Sequence, residues 1–355
     1  MALTQIEIEQ FRCIRTAKLE FLPEQNLILG ENAGGKTSIL EAIFLLGSGH
    51  SFRTTATETL VQEGSDEFLV VGKLMGQTGQ TVIGARGSKE VKEFRVNGEA
   101  RRTSAELARM FPVQIIDPEV HRLLEDGPVR RRRFLDWGVF HVEPLFHDAW
   151  RRYNRALRQR NAALRGRSVG GDLDIWNLEL EAHGSVIAEL RDRYLATLGP
   201  FVSSIGHRLL GKEVVIDYQR GWRRESRLID ALKEAQVRDF VRGATSVGPH
   251  RAELILKVNG RPMKDGISRG QQKMLACTLL LAQQFQRISI SAPSACLLLD
   301  DPAAELDLFN LGKLLEVIAE LRVQLIVTSL SPEVLKVFNT AKVFHVEHGM
   351  IKGMA

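Results

Sequence analysis

The sequence predicts an α/β fold of mixed sheets with an inserted, mainly helical lobe. A short apolar strand near the N-terminus runs directly into a glycine-rich loop and then into a helix. Strand patterns occupy both ends of the chain, whereas helical periodicity dominates from about residue 120 to 245. We therefore expect three segments: 1–119 and 248–355 as the two halves of a sheet lobe, and 120–247 as an Arg-rich helical insertion.

Alternation of apolar and polar residues predicts the strands of the first segment. Residues 4 to 22 predict two half-buried antiparallel strands that lead into the apolar strand Leu27–Leu29. Glycine turns separate three further strands, which we expect to join them in one mixed sheet: 68–75, 80–86 and 91–96. A short helix at 104–111 and a strand at 113–116 complete this segment.

Helical periodicity defines the insertion, and a regular succession of elements follows it. The insertion is predicted to hold helices at 128–141, 144–165, 174–198 and 226–241, with a Gly-rich break at 166–171. The last segment is predicted to hold strands at 252–258, 296–299 and 323–328, and helices at 269–286, 309–321 and 332–338. Heptads are not sustained over several turns, so we do not expect a long coiled coil.

Composition excludes several classes of protein. The chain is 44% hydrophobic and 26% charged, which is ordinary for a soluble protein. It shows neither a signal-peptide pattern nor 18 consecutive apolar residues, so we expect a cytoplasmic protein without a membrane partner. Cys13, Cys277 and Cys296 lie beside apolar residues and predict buried thiols in a reducing compartment.

The loop after Leu27–Leu29 has the spacing of a phosphate cradle, G-x-x-x-x-G-K-[ST]. Glycines let backbone N–H groups approach a triphosphate, and the next helix adds the positive end of its dipole. Lys36 would reach the β- and γ-phosphates, and the Thr37 hydroxyl would bind Mg²⁺. The predicted ATP-binding residues are Gly30, Glu31, Asn32, Ala33, Gly34, Gly35, Lys36, Thr37 and Ser38.

Two carboxylates follow the buried strand at 296–299. Asp300 would hold Mg²⁺ opposite Thr37, and Asp301 would orient or deprotonate the attacking water. The alternative is a purely structural role, in which the aspartate pair caps the helix after Pro302. Together with the cradle, the pair favours hydrolysis of ATP over mere storage of a nucleotide.

A third motif opens the predicted helix at 269–286. Ser268, Arg269, Gly270 and Gln271 resemble the L-S-G-G-Q signature of ABC-type ATPases, and Ala304–Asp307 resembles their D-loop, with Asp307 as its acid. The resemblance implies that the signature of one subunit contacts the nucleotide in the cradle of another, in an ATP-dependent homodimer. Gln114, just before Asp117–Pro118, is a candidate Q-loop residue; an ordinary surface glutamine is the alternative.

Four segments narrow the resemblance to the bacterial RecF family: Ser51–Thr54, Arg132–Asp136, Gly248–Arg251 and Ser268–Lys273. The similarity covers essentially the whole chain and implies an ABC-type P-loop ATPase head, SMC/Rad50-like but without the long coiled coil. The resemblance further implies a protein that dimerises on DNA with ATP and hydrolyses the ATP slowly to release the DNA. It also implies a role in recombinational repair at single-strand gaps and stalled forks, together with RecO and RecR in loading RecA, with links to replication and the SOS response.

The chain departs from the wider ABC pattern at three places. Asp301 replaces the usual glutamate, and Thr328-Ser329 stands where a switch histidine would follow the last core strand. Because a shorter acid reaches water less easily and a hydroxyl carries no charge, we expect weak turnover. Arg269 replaces a signature glycine but leaves Ser268 and Gly270 in place.

Arginines are the candidate DNA contacts. On the predicted helix 144–165, a cationic stripe able to follow phosphates is formed by Arg151, Arg155, Arg158 and Arg165. The alternative is a solvated face. Arg12 and Arg53 resemble nucleotide- or DNA-proximal arginines of SMC-like heads, or are surface arginines. The expected ligand is double-stranded DNA with a gap or a junction to single strand.

Two other classes of function use the same cradle. An ABC subunit that powers a membrane transporter would share the signature and the Asp pair, but it predicts a membrane partner and usually a switch histidine. A P-loop kinase for small molecules would use the Arg-rich helices as a substrate lid, but it leaves the signature and D-loop unexplained.

Overall fold

The computed structural model describes residues 1–77, 79–88, 91–101, 103–166, 171–263, 267–290, 295–330, 334, 338, 340–347 and 349–353. It divides into two compact units: a first unit of Met1–Val120 with Pro293–Ala355, and a second unit of His121–Ala292. The boundary after residue 120 lies within one residue of the predicted one. The later boundary lies at 292 rather than 247, so the predicted signature helix belongs to the second unit.

An antiparallel sheet forms one layer of the first unit. Within the described residues it has six strands in the order β2-β1-β4-β5-β6-β7. The strands are β1 (Ala2–Phe11), β2 (Ile14–Glu20), β4 (Glu67–Gly76), β5 (Gly79–Ser88), β6 (Lys92–Val96) and β7 (Glu99–Arg101). We predicted one mixed sheet for these strands together with the cradle strand; instead they form a sheet of their own. Short turns connect most of them, and short connections allow only antiparallel neighbours.

A second sheet carries the cradle strand. Among the described residues the strand order is β15-β14-β3-β13-β12-β8. The pair β14–β15 is antiparallel, and the other pairs of this sheet are parallel. The strands are β3 (Gln25–Gly30), β8 (Val113–Ile116), β12 (Cys296–Leu299), β13 (Leu325–Ser329), β14 (Lys342–Glu347) and β15 (Met350–Gly353). Parallel strands end at one edge of the sheet, so the residues after β3, β12 and β13 meet there. We did not predict β14 or β15.

Four helices of the first unit are described: α1 (Lys36–Ser48), α2 (Ser104–Met110), α10 (Pro302–Glu305) and α11 (Leu308–Ala319). Helix α1 contacts strands of both sheets, and Ile39, Leu40 and Ile43 are buried in the core between them. The cradle helix is therefore fixed by hydrophobic burial on most of its surface. The helix predicted at 332–338 lies outside the described residues except at 334 and 338.

The second unit is mainly helical. Its described helices are α3 (Arg122–Glu125), α4 (Pro128–Val142), α5 (Phe146–Arg165), α6 (Gly171–Leu210), α7 (Leu228–Glu234), α8 (Gln236–Arg242) and α9 (Arg269–Ser289). A three-stranded antiparallel sheet of described residues joins them: β9 (Val214–Gln219), β10 (Glu253–Val258) and β11 (Arg261–Pro262).

Two pairings explain why the second unit extends beyond the predicted boundary. Strand β10 pairs along its length with β9, and helix α9 packs against α6. The strand predicted at 252–258 therefore exists, but it does not belong to the sheets of the first unit. The helix predicted at 174–198 is also longer, because α6 continues through Pro200 to Leu210.

The cysteines differ in exposure. Cys277 and Cys296 are buried as predicted, but Cys13 is exposed. It lies in the turn between β1 and β2, where Arg12 has a left-handed backbone with φ of 55°. We placed Cys13 in a strand and therefore missed the turn. No helix in the described part of the chain is long and apolar enough to cross a membrane.

Candidate nucleotide-binding site

The cradle lies between the end of β3 at Gly30 and the start of α1 at Lys36. A Cβ atom on Gly30 would lie 2.2 Å from the Val346 carbonyl oxygen, and Gly35 has φ of 110°. Both positions therefore require glycine, one for close approach and one for backbone conformation. The Gly349 N–H donates to the Gly34 carbonyl at 3.0 Å and holds the loop on the sheet.

Helix α1 presents an anion-binding end. No described side chain caps its N-terminus, where Gly35 is the N-cap residue. The first backbone N–H groups of a helix have no partner within it, and the helix dipole gives this end a partial positive charge. The cradle thus supplies the hydrogen-bond donors that phosphate oxygens need.

Lys36 is held inside the loop. Its Nζ atom donates to the Gly30 carbonyl at 2.7 Å and to the Glu31 carbonyl at 2.8 Å. Burial lowers the pKa of Lys36, while the charges of Asp301 and Asp300 raise it. The ammonium group therefore stands beside the carboxylates at the position where a phosphate would enter.

Thr37 and Asp300 lie together although they are 263 residues apart. The Thr37 hydroxyl lies 3.0 Å from both carboxylate oxygens of Asp300, which follows β12 directly. Hydroxyl and carboxylate oxygens are ligands that Mg²⁺ accepts when substrate phosphates and water complete its shell. The donor set fits Mg²⁺, and these two side chains would hold it.

Asp301 has an unusual backbone and a perturbed carboxyl group. Its φ of 43° and ψ of 56° lie in the left-handed region. Burial raises the pKa of Asp301, although a hydrogen bond from the Leu330 backbone N–H and the charge of Lys36 act in the opposite direction. A carboxylate with a raised pKa is a better proton acceptor from water.

These groups line a cavity of about 570 Å³. Its walls include the predicted residues Asn32, Ala33, Gly34, Gly35, Lys36, Thr37, Ser38, Asp300, Asp301, Arg12 and Arg53. Gly30 and Glu31 line an adjacent cavity of about 360 Å³ with His345 and Glu347. The two stretches predicted from distant parts of the sequence thus share one site in the first unit.

A buried carboxylate that we did not predict binds two arginines that line the cavity. Glu41 is fully buried on α1, one helical turn after Thr37. It accepts hydrogen bonds from Arg12 (Nε at 2.9 Å and Nη2 at 2.7 Å), from Ser51 (2.5 Å) and from Arg53 (3.5 Å). An acid among the apolar residues of α1 was the available signal.

The signature residues begin α9 in the second unit. Ser268 is the N-cap of this helix, and its hydroxyl accepts the Gln271 N–H at 3.3 Å in a capping box. Ser268, Arg269 and Gly270 are exposed. The Arg269 guanidinium lies 3.4 Å from His121 Nε2, and the Gln271 side chain accepts from Lys212. The start of α9 is therefore an accessible helix N-terminus.

The other predicted residues have mixed surroundings. Asp307 caps α11 by accepting the Asn310 N–H at 2.9 Å, which lowers the pKa of its carboxyl group. Gln114 is buried in β8 and does not line the 570 Å³ cavity. The four arginines of the predicted stripe are exposed on α5: Arg151, Arg155, Arg158 and Arg165. Arg151 forms an ion pair with Asp148 at 3.2 Å.

A parallel sheet that carries a phosphate cradle and an aspartate pair at one edge, beside an antiparallel sheet, defines a P-loop ATPase head of the ABC type. Residues 2–352 match the family model of the RecF/RecN/SMC N-terminal domain. The chain is 38% identical to the DNA replication and repair protein RecF of Thioalkalivibrio sulfidiphilus, over 99% of both proteins. It is 36% identical to that of Vibrio parahaemolyticus over 99% of both. The chain belongs to the RecF family.

Solved structures agree with this assignment. A structure of the recombination mediator protein RecF with ATP, in the RecFOR pathway, superposes with a TM-score of 0.89 at 27% identity and covers 100% of this chain and 98% of that one. An SMC head bound to the C-terminal winged-helix domain of ScpA has a TM-score of 0.64 at 16% identity over 100% and 97%. The second similarity concerns the fold alone, and it confirms an SMC-like head with a helical insertion.

Proposed function

We propose that the chain is a DNA-binding ATPase that forms a dimer on DNA when it binds ATP with Mg²⁺, and that hydrolyses ATP slowly to release DNA. The exposure of Ser268, Arg269 and Gly270 at the start of α9 carries this proposal. Every lining residue of the 570 Å³ cavity belongs to the first unit. The signature of a second copy would therefore complete the site with a helix N-terminus directed at the γ-phosphate.

The residues of the first unit have separate tasks in this cycle. Lys36 and the backbone N–H groups of the cradle would bind the phosphates, Thr37 and Asp300 would hold Mg²⁺, and Asp301 would orient the attacking water. Bound Mg²⁺ would neutralise charge that develops on the phosphate oxygens. The Asp301 side chain is shorter than the usual glutamate and reaches water less easily, so hydrolysis is slow. Slow hydrolysis would delay the release of DNA.

The relatives support a biological setting for this switch. Their names describe DNA replication and repair, and a similar solved structure is described as a recombination mediator in the RecFOR pathway. We accordingly place the chain in recombinational repair of single-strand gaps and stalled forks, with links to replication and the SOS response. There it would help RecO and RecR load RecA.

Sedimentation of the purified protein tests the dimer. The protein is run without nucleotide, with ADP and with ATP, each with and without a gapped duplex. We expect a dimer with ATP only, and tighter DNA binding as the dimer forms. A protein that stays monomeric with ATP and indifferent to DNA would refute the proposal.

Two substitutions on α9 separate the signature from the helix that carries it. Ser268→Arg should keep the ATP affinity of the monomer but abolish the dimer and turnover, because the new side chain blocks the surface offered to a second copy. Ser289→Arg is the matched control, since Ser289 is exposed at the other end of α9. Equal loss of monomer ATP affinity in Ser268→Arg would show that the signature does not act in trans.

The arginines of α5 are the proposed DNA contacts. Arg155 and Arg158 are exposed and form no ion pair with a described residue. Replacing both with glutamine should weaken binding to all duplex sequences alike and reduce the slope of log K against log salt by about 2. Arg15→Gln, an exposed position on β2, is the control. An unchanged slope of log K against log salt in the double variant would mean that DNA binds a surface other than that of α5.

A further inference from the structure

Thr328 is a buried hydroxyl in the middle of the nucleotide-binding edge. It lies near the end of β13, which runs between β3 and β12, and it is 0% exposed. Its neighbours on the strand, Ile326 and Val327, are buried apolar residues, so valine would fill the same space. A hydroxyl at such a position costs free energy unless it is hydrogen-bonded. Its partners therefore indicate what it does.

The closest partners are the two aspartates of the site; a longer contact of 3.4 Å joins the Thr328 hydroxyl to the Leu299 carbonyl oxygen. The Thr328 hydroxyl donates to Asp300 Oδ1 at 2.7 Å, and its oxygen accepts the Asp301 backbone N–H at 2.9 Å. One residue thus fixes the carboxylate of the first aspartate and the backbone of the second. Leu330, two residues further along the chain, donates its N–H to the Asp301 carboxylate. The end of β13 consequently holds both acids.

The hydrogen bond from Thr328 is important for orienting Asp300, because the second side chain that donates to Asp300 is also a candidate Mg²⁺ ligand. Among the described side chains, only Thr37 and Thr328 donate to the Asp300 carboxylate. Thr37 is also the hydroxyl that would bind Mg²⁺, and a hydroxyl that binds a metal is constrained in where it can donate. Thr328 would then be the protein donor that still orients Asp300.

The second hydrogen bond, from the Asp301 backbone N–H to the Thr328 hydroxyl oxygen, is important because Asp301 has an unusual backbone conformation. A non-glycine residue seldom adopts the left-handed conformation observed here, with φ of 43°. It persists only when the surroundings impose it. The hydrogen bond from the Asp301 N–H to Thr328 is one such constraint, and Asp301 lines the cavity together with Asp300.

We propose that Thr328 is a positioning residue of the ATPase site, which orients Asp300 toward the metal position and Asp301 toward the attacking water. The inference rests on the proposed hydrolysis of ATP and deepens it. It also gives Thr328 a role of its own, whereas the sequence led us to interpret Thr328-Ser329 only as the absence of a switch histidine. Thr328 contacts the two acids of the site.

Substitutions that remove only the hydroxyl test this role. Thr328→Val should lower kcat about tenfold or more, as expected for loss of a hydrogen bond to a charged group, and change KM less than threefold. It should also raise about tenfold the Mg²⁺ concentration that half-saturates binding of a non-hydrolysable ATP analogue. Binding of the analogue in EDTA should stay as in the wild type. Thr328→Ser should restore each quantity to within about threefold.

Matched controls separate positioning from packing. Thr4→Val removes a threonine hydroxyl from β1 that donates to the Lys73 carbonyl at 3.0 Å, away from the site, and should change none of these quantities. If Thr328→Val does not fold, Thr328→Ala and Thr328→Ser provide the comparison, because they differ only by the hydroxyl. A wild-type Mg²⁺ requirement and kcat in the hydroxyl-free variant would overturn the inference.

The same experiment distinguishes this inference from the proposed function. A wild-type protein that neither binds nor hydrolyses ATP would refute the function itself. A wild-type protein that hydrolyses ATP, beside a Thr328→Val variant that hydrolyses it equally well at the same Mg²⁺ concentration, would refute only the role of Thr328.

Discussion

His250 should make the stability of the second unit dependent on pH. Its Nε2 atom lies 3.0 Å from the Thr245 carbonyl oxygen, which can only accept a hydrogen bond. Nε2 therefore carries the ring proton, and Nδ1 accepts from the Tyr153 hydroxyl at 2.7 Å. A second ring proton, on Nδ1, would remove the acceptor to which the Tyr153 hydroxyl donates. Burial lowers the pKa of His250 to about 4, and the charges of Arg251 and Arg132 act in the same direction.

The size of the effect follows from the difference between folded and unfolded protein. The unfolded chain binds the proton near the ordinary pKa of 6.5, whereas the folded chain binds it only near about 4. The unfolded state binds more protons between these values, so stability is full above about pH 6.5 and falls as the pH is lowered toward 4. A separation of about 2.5 pH units corresponds to roughly 3 kcal/mol of unfolding free energy.

Tryptophan fluorescence can measure this in the second unit alone, because Trp137, Trp150, Trp176 and Trp222 are the only tryptophans of the chain and all belong to that unit. Urea unfolding is followed from pH 4 to 7.5 in the wild type and in His250→Gln, which cannot titrate there. The stability advantage of the wild type should shrink by roughly 3 kcal/mol between pH 7 and 4.

His183→Gln on α6 is the control and should leave the wild-type pH dependence intact. Parallel stability curves for the wild type and His250→Gln would refute the reasoning, because they would mean that His250 takes up its proton equally in both states.

Three further predictions concern the ATP site and the core. Lys36→Ala should lose ATP binding, and with it the dimer; a variant that still dimerises fully with ATP in sedimentation would contradict this. Asp301→Asn should bind ATP and dimerise but release phosphate at least about tenfold more slowly, since an amide is a poor proton acceptor, and unchanged turnover would place the catalytic base elsewhere. Asp239→Ala should cost roughly 3 to 5 kcal/mol in urea unfolding, because it leaves Arg160 buried without the carboxylate that pairs with it at 2.8 Å. A loss below about 1 kcal/mol would mean that water reaches that arginine.

The cradle and the aspartate pair can be located from the sequence because their signals are local. Gly30 to Thr37 forms a strand, loop and helix within a few residues, and Asp300 follows an apolar run directly. Parallel strands then bring the two stretches together, since β3, β13 and β12 are neighbours with their ends at one edge. No long-range detail is needed to predict that Thr37 and Asp300 meet.

Long-range pairing is where the prediction failed. Strand β10 has the pattern expected from its sequence, but its partner β9 was missed, so the segment was assigned to the wrong unit. Glu41 and Thr328 are single polar residues in apolar stretches, and the sequence alone does not show which donors or acceptors the fold brings to them. Their partners, such as Arg12 and Asp300, lie outside their own helix or strand.

Binding and hydrolysis of ATP should be separable because neighbouring strands support them. The loop between strand β3 and helix α1 forms the cradle, and this loop and Lys36 would contact the phosphates. Asp300 and Asp301 follow strand β12, and Thr328 in β13 and the Leu330 N–H just after β13 hydrogen-bond to these acids. A substitution in the cradle should remove ATP and the dimer together, whereas one in β13 should leave the phosphate contacts in place and misorient the acids. Loss of Thr328 should therefore yield a protein that reaches the ATP-bound dimer and stays there, whereas loss of Lys36 should yield one that never forms it.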